Sequence, residues 1–265
     1  MSSDRAYKRF LLERTLPHFW CPGCGNGIVL GAIVRALAGL DLSPRNVVVV
    51  TGIGCWGKAD DYLSVNVFHG THGRALPLAT GIKVNRPDLT VLALMGDGDC
   101  ATIGGNHLLH AARRNAGVKA VVVNNFNYGM TGGQYSATTP EGKATSTSPF
   151  GNPEKGLDIA RVAEAAGANY VARTTVYHAA QLVTYLKEAI AAPGFALVEA
   201  VSTCPTYFGR LNSMRTPVDS MKWLKESATG RLCDRREPDF NQRYEEIRRK
   251  AREMGFNPGQ VNTGR

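Results

Sequence analysis

The chain has 265 residues, 43% hydrophobic and 20% charged, which suits one large soluble domain or one domain plus an appendage. No apolar run is long enough to span a membrane, and Met1 to Arg14 lacks the apolar core of a secretory signal, so a cytoplasmic protein with no membrane partner is expected. The net charge of +9 is scattered, without zinc-finger spacing or an aromatic RNA-binding signature, so nucleic acid is not an expected partner and an acidic protein is the better fit.

The first ordered signal is Trp20-Cys21-Pro22-Gly23-Cys24-Gly25, two cysteines in a Gly/Pro turn, followed by a helical pattern over Gly27–Leu40 with Asn26 as its cap. A β-branched run, Val47–Thr51, predicts a strand that ends in Gly52-Ile53-Gly54-Cys55-Trp56. The next strand, Thr90–Met95, ends in Gly96-Asp97-Gly98-Asp99, and a helix over Asn106–Asn115 follows. Lys119–Asn124 predicts a further strand ending in Asn124-Asn125. The segment Gln134–Gly156 has no period and reads as a long loop, either a surface excursion or a lid or docking loop beside a site. A helix over Asp158–Ala166, a strand over Tyr170–Arg173, a helix over Tyr177–Ala192 and a strand over Ala196–Val201 complete the alternation, and the last strand runs into Ser202-Thr203-Cys204-Pro205.

Short apolar strands alternating with helices predict an α/β fold with a mostly parallel central sheet and helices on both faces. Residues 1–209 form this domain, and residues 210–265 read as a charged helical extension without strand signal. In the extension, Phe240, Tyr244, Ile247, Ala251 and Met254 make one apolar stripe, with Asp239 as cap and Gly255 and Pro258 as stops. The stripe serves either packing on its own domain or docking on another subunit.

In such folds ligands bind at the carboxyl ends of strands. If the strands ending in Gly-Asp-Gly and Asn-Asn are neighbours, Asp97 and Asn125 meet at one edge. A carboxylate and an amide oxygen are hard ligands suited to Mg²⁺, which is usually completed by substrate phosphates and water, so a diphosphate is expected there. Gly96 and Gly98 allow close backbone approach, and the helix start near Gly104–Asn106 can offer N–H groups to an anion. This spacing resembles thiamine diphosphate enzymes from about Val47 to Gly133.

Cys21, Cys24, Cys55 and Cys204 come from three loops, and Cys55 and Cys204 follow predicted strands at the same sheet edge as Asp97. Four thiolates imply zinc or an iron–sulfur cluster. Their position beside an expected cofactor favours the cluster, since an electron acceptor has reason to lie there and a structural zinc has none. Cys100 and Cys233 have no matching partners and fit plain burial.

Together, Cys21-Pro22-Gly23-Cys24, Gly52-Ile53-Gly54-Cys55, His72-Gly73-Arg74, Gly96-Asp97-Gly98-Asp99, Asn124-Asn125, Tyr128-Gly129-Met130-Thr131-Gly132-Gly133-Gln134 and Cys204-Pro205-Thr206 resemble the β subunit of 2-oxoacid:ferredoxin oxidoreductases across residues 15–212. The resemblance implies the pyrophosphate module of a thiamine diphosphate fold. It implies Mg²⁺ on Asp97, Asn125 and the Asn127 carbonyl, and a 4Fe–4S cluster on Cys21, Cys24, Cys55 and Cys204. Ile53, Gly54, Cys55, Trp56, His72, Gly98, Asp99, Gly129 and Met130 would contact thiamine diphosphate. His72 and Arg74 are the candidate catalytic side chains, with a structural histidine and a surface arginine as the alternatives. The implied activity is coenzyme A-dependent oxidative decarboxylation of a 2-oxoacid, with ferredoxin as electron acceptor. An α subunit would supply the pyrimidine-binding module that this chain lacks. The stretch Tyr128–Gln134 looks most like 2-oxoglutarate-type members, ahead of pyruvate or branched-chain users. A non-redox thiamine decarboxylase subunit with a structural zinc is the rival.

Overall fold

The computed structural model describes residues 7–214 and 216–255. Its centre is a seven-stranded sheet. The strands are β1 (Val47–Thr51), β2 (Asn66–His69), β3 (Thr90–Gly96), β4 (Val118–Asn124), β7 (Tyr170–Thr175), β8 (Ala196–Val201) and β9 (Gly230–Asp234), in the order β2-β1-β3-β4-β8-β7-β9. All pairings are parallel except β7 with β9. Two further short strands, β5 (Asn127–Tyr128) and β6 (Gln134–Tyr135), form a separate hairpin just beyond β4.

The central strands are nearly continuous apolar runs because helices cover both faces. Side chains alternate across the sheet with a period of two. Val47 and Val49 of β1 with Leu92 and Leu94 of β3 enter one core, where α1 (Asn26–Gly39) and α5 (Ala179–Ala191) contribute Ile33, Leu37, Leu182 and Leu186. Val48, Val50, Val91 and Ala93 enter the other core, against α2 (Ala75–Asn85), α3 (Gly105–Arg113) and α4 (Ile159–Ala165). The expected architecture, with helices on both faces of a mostly parallel sheet, is what is found.

Three local expectations are corrected. Asn26 does not cap α1. The cap position is Gly25, and the buried Asn26 amide has no hydrogen-bond partner. Helical structure after the Gly-Asp-Gly turn starts at Gly98, as a π-type turn over Gly98–Ile103, so the first turn lies nearer the strand end than Gly104–Asn106. The extension is also not strandless. Gly230–Asp234 joins the main sheet as β9, so residue 209/210 is not a break in the sheet.

The rest of the extension forms α6 (Pro217–Lys225) and α7 (Phe240–Glu253), both opened by capping boxes, Thr216 with Asp219 and Asp239 with Gln242. Gly255 leaves α7 at a φ of +77°, while Pro258 lies outside the described residues. Only the start of the stripe meets the domain, where Phe240 is half-buried and its N–H donates to the Asn115 carbonyl, while Tyr244 and Ile247 are 49% and 62% exposed.

Candidate active site

Gly96 at the end of β3 lies opposite Val123 of β4, so Asp97 and Asn125 emerge side by side at the carboxyl rim of the sheet. Three polar groups converge there, the Asp97 carboxylate, the Asn125 side-chain amide and the Asn127 carbonyl. The amide end of Asn125 that faces inward lies 3.1 Å from Asp97 Oδ1 and 2.7 Å from the Asn127 carbonyl oxygen. With the amide oxygen turned inward, all three groups are acceptors and a cation between them would satisfy each. The alternative is an amide nitrogen donating to the other two. Burial pushes the Asp97 carboxyl above the usual range, against hydrogen bonds from Ser136 and Thr138 that favour the ionised form.

A pocket of about 80 Å³ opens at this point, lined by Ile53, Gly54, Cys55 and Trp56 after β1, His72, Asp97 to Asp99, Asn125, and Asn127 to Thr131. That is well below the roughly 300 Å³ of a self-contained cofactor pocket. Buried polar atoms are left without protein partners in it, namely Asp99 Oδ2 and both side-chain atoms of Asn127. Such orphans fit a site that a polar ligand completes. The Tyr128 ring lies over Gly98, where a Cβ would fall 2.3 Å from the ring, so only glycine fits.

His72 Nδ1 is 2.5 Å from Asp99 Oδ1, which also accepts from the Gly73 N–H at 2.6 Å. A carboxylate can only accept, so it holds the proton on Nδ1 and leaves Nε2 as the free ring nitrogen. The Tyr128 ring meets the imidazole edge-on at 5.9 Å.

Two of the thiols lie against Gly129. A Cβ built on that glycine would lie 3.6 Å from both Cys55 Sγ and Cys204 Sγ. Cys21 and Cys24 are brought over them by the turn before α1. Trp20 Nε1 donates to the Cys55 carbonyl at 2.6 Å, and Thr203 Oγ1 donates to the Gly23 carbonyl at 2.9 Å. Trp20 stacks at a tilt on Trp56 and Tyr62, which anchors the turn in the core. Burial raises Cys24 to about 12 and Cys55 to about 11, and the neighbouring thiols add to both shifts. Uncompensated thiolates would repel one another here, so a cationic or cluster occupant matches the donor set. Among the described residues, no group of three or more His, Cys, Asp or Glu closes tightly enough to hold a single metal ion.

Residues 52–200 match the family model "Thiamine pyrophosphate enzyme, C-terminal TPP binding domain". The chain is 48% identical to 2-oxoglutarate synthase subunit KorB of Methanocaldococcus jannaschii, over 83% of this chain and 82% of that one. It is 50% identical to the KorB subunit of Archaeoglobus fulgidus, over 83% and 80%. The chain belongs to the 2-oxoacid:ferredoxin oxidoreductase β-subunit family. A solved 2-oxoglutarate:ferredoxin oxidoreductase from Magnetococcus marinus, with 2-oxoglutarate, coenzyme A and succinyl-CoA bound, superposes with a TM-score of 0.84 at 30% identity, covering 96% of this chain and 92% of that one.

As a member of this family the chain carries a thiamine diphosphate-binding domain of the expected α/β type. Most of the anticipated oxidoreductase site residues meet at the rim. Arg74 does not. It precedes α2 on the surface, its guanidinium 2.7 Å from His107 Nε2 on α3, and it lines no part of the pocket. This placement favours the surface-arginine alternative. Asp99, expected as a cofactor contact, spends Oδ1 on His72 and Gly73.

Sequence reading missed Ser136 and Thr138, which reach Asp97 from the long loop. It treated that loop as periodless polar chain, and no local spacing links positions 39 and 41 residues away from their partner. The loop is in fact tied down, with Asn212 bonded in both directions to the Ala144 backbone and Asn152 Nδ2 donating to the Thr139 carbonyl at 2.8 Å.

Proposed function

We propose that this chain is the catalytic β subunit of a cytoplasmic enzyme that oxidatively decarboxylates 2-oxoglutarate with coenzyme A and passes the electrons to ferredoxin. The observation that supports this reading is the shared rim, where Asp97, Asn125 and the Asn127 carbonyl converge and the Cys55 and Cys204 thiols lie close to the intervening Gly129. In this reading Asp97, Asn125 and the Asn127 carbonyl hold Mg²⁺ against the diphosphate, and the first turn after Asp97 faces the phosphates. Cys21, Cys24, Cys55 and Cys204 hold a 4Fe–4S cluster. When bound, thiamine diphosphate supplies an electron sink for loss of CO₂, and the cluster takes up electrons singly.

The chain's own groups do the positioning. Ile53, Gly54, Trp56, Gly98, Gly129 and Met130 form the walls around the cofactor. His72, its tautomer set by Asp99, presents Nε2 as a proton acceptor or hydrogen-bond partner on the substrate side. The small pocket supports a cofactor gripped from its other end by an α subunit, so the β chain alone is inactive. The exposed stripe on α7 supports contact with that or another subunit of the complex.

The test is anaerobic co-purification with the partner subunit, metal analysis, and assay of a 2-oxoacid panel with coenzyme A and a low-potential dye. About four iron per β chain and the highest turnover on 2-oxoglutarate are expected. Zinc without iron would overturn the redox reading, and a preference for pyruvate or a branched-chain acid would overturn the substrate.

A further inference from the structure

The two oxygens of the buried Asp97 carboxylate are used differently. Oδ2 accepts from Ser136 Oγ at 2.5 Å and from Thr138 Oγ1 at 2.6 Å. Oδ1 alone is turned to the oxygen triad with Asn125 and the Asn127 carbonyl.

The two hydroxyls lie 3.0 Å apart, and the loop segment that carries them is held from several sides. The Ser136 N–H donates to Thr139 Oγ1 at 2.9 Å, Thr139 Oγ1 donates to the Phe126 carbonyl at 2.7 Å, and the Ala137 N–H donates to Thr102 Oγ1 at 3.0 Å. Ser136, Thr138 and Thr139 are all buried. Each hydroxyl has one hydrogen, so Ser136 and Thr138 spend theirs on the same oxygen and saturate it.

We infer that Ser136 and Thr138 are positioning residues that keep Asp97 a one-oxygen ligand and so set which divalent cation the site accepts. This rests on the reading above, that the Asp97–Asn125–Asn127 triad takes the metal. Mg²⁺ requires about six ligands at roughly 2.0–2.1 Å and is well served by single carboxylate oxygens, whereas Ca²⁺ prefers about six to eight oxygens and readily takes a carboxylate through both. A carboxylate with one oxygen closed off favours the smaller ion. Freed of its hydroxyl partners, Asp97 could rotate or chelate, and the preference would relax.

The experiment uses the purified holo-complex, stripped of thiamine diphosphate and divalent metal by chelation under anaerobic conditions. Thiamine diphosphate rebinding is followed through tryptophan fluorescence, with Trp56 lining the pocket, while Mg²⁺ or Ca²⁺ is titrated. Wild type should require metal and prefer Mg²⁺. S136A and T138V should each raise the Mg²⁺ midpoint roughly 10–100-fold while shifting the Ca²⁺ midpoint less, so the Mg²⁺/Ca²⁺ ratio narrows. T138S, which keeps the hydroxyl, should restore both. The midpoint does not depend on the active fraction, so a partly folded variant still reports.

Unchanged Mg²⁺ midpoints, or equal losses for both ions, would overturn the inference while leaving the metal reading intact. Wild-type rebinding indifferent to either metal would overturn the metal reading, and the inference with it.

Discussion

The two corners of the rim are prepared in opposite ways. The oxygen corner is organised by the chain itself: Asp97 is fixed by two hydroxyls, Asn125 and Asn127 are set by the end of β4, and the π-type turn begins at once. The sulfur corner is assembled but not electrostatically settled. Its thiols are crowded, Cys24 and Cys55 are partly buried and pushed up in pKa, and Cys21 is exposed. Oxygen ligands for a hard ion can wait as a preformed cage. Thiol ligands must lose protons to bind, so their corner reaches its working state only with its occupant. The lesson is that one rim can hold one site ready-made and another that is conditional.

The sharpest way to break this contrast is Cys55→Ala. Three thiolates leave one iron open, so the visible absorption of the anaerobic complex should be lost while thiamine diphosphate still binds. An unchanged spectrum would remove Cys55 from the ligand set. Asp99→Asn tests the ready-made side at the next level of effect. Removing the carboxylate that orients His72 should lower turnover about 10- to 100-fold with little change in cofactor affinity. Equal losses in both would make Asp99 a cofactor contact instead.

The smallest effect concerns the cluster-free subunit. Cys24 at about 12 and Cys55 at about 11 lie above the ordinary thiol value of 9.0. The folded state therefore binds protons that the unfolded chain releases first. The stability tied to these thiols is whole below pH about 9 and is lost as pH rises through their folded values. Urea unfolding should show a falling midpoint between about pH 9 and 11, absent in a Cys24→Ala/Cys55→Ala double variant. An equal fall in that variant would place the effect elsewhere.

Much of the fold was legible because the inner strands are buried on both faces, and burial leaves runs such as Val47–Thr51 and Ala196–Val201 with little else to read. What escaped was marginal in pattern. β2 is a short edge strand exposed along its whole length, and β9 is a partly exposed edge strand of five residues. The helix α2 carries Pro77 and Gly81, and both blur a helical period. The helix α6 had a readable start, Thr216-Pro217 with Asp219, that the charged surroundings obscured. At the site, residues tied to strand ends were legible, because strand ends are where parallel sheets bind ligands. Ser136 and Thr138 were not, since their contact is made by the path of a loop. Nor could spacing tell that Arg74 turns away to His107 while His72, two residues earlier, turns in.

The strand Gly230–Asp234 bears on any attempt to trim the protein. Cutting after Gly209 would strip a neighbour from β7 and bare a row of peptide N–H and C=O groups, the kind of open edge that recruits other chains into aggregates. It would also remove the Glu237 and Pro238 carbonyls that receive the buried Asn115 and Asn169 amides. A shortened version would then fail through stickiness far from the chemistry, and its inactivity would say nothing about the rim.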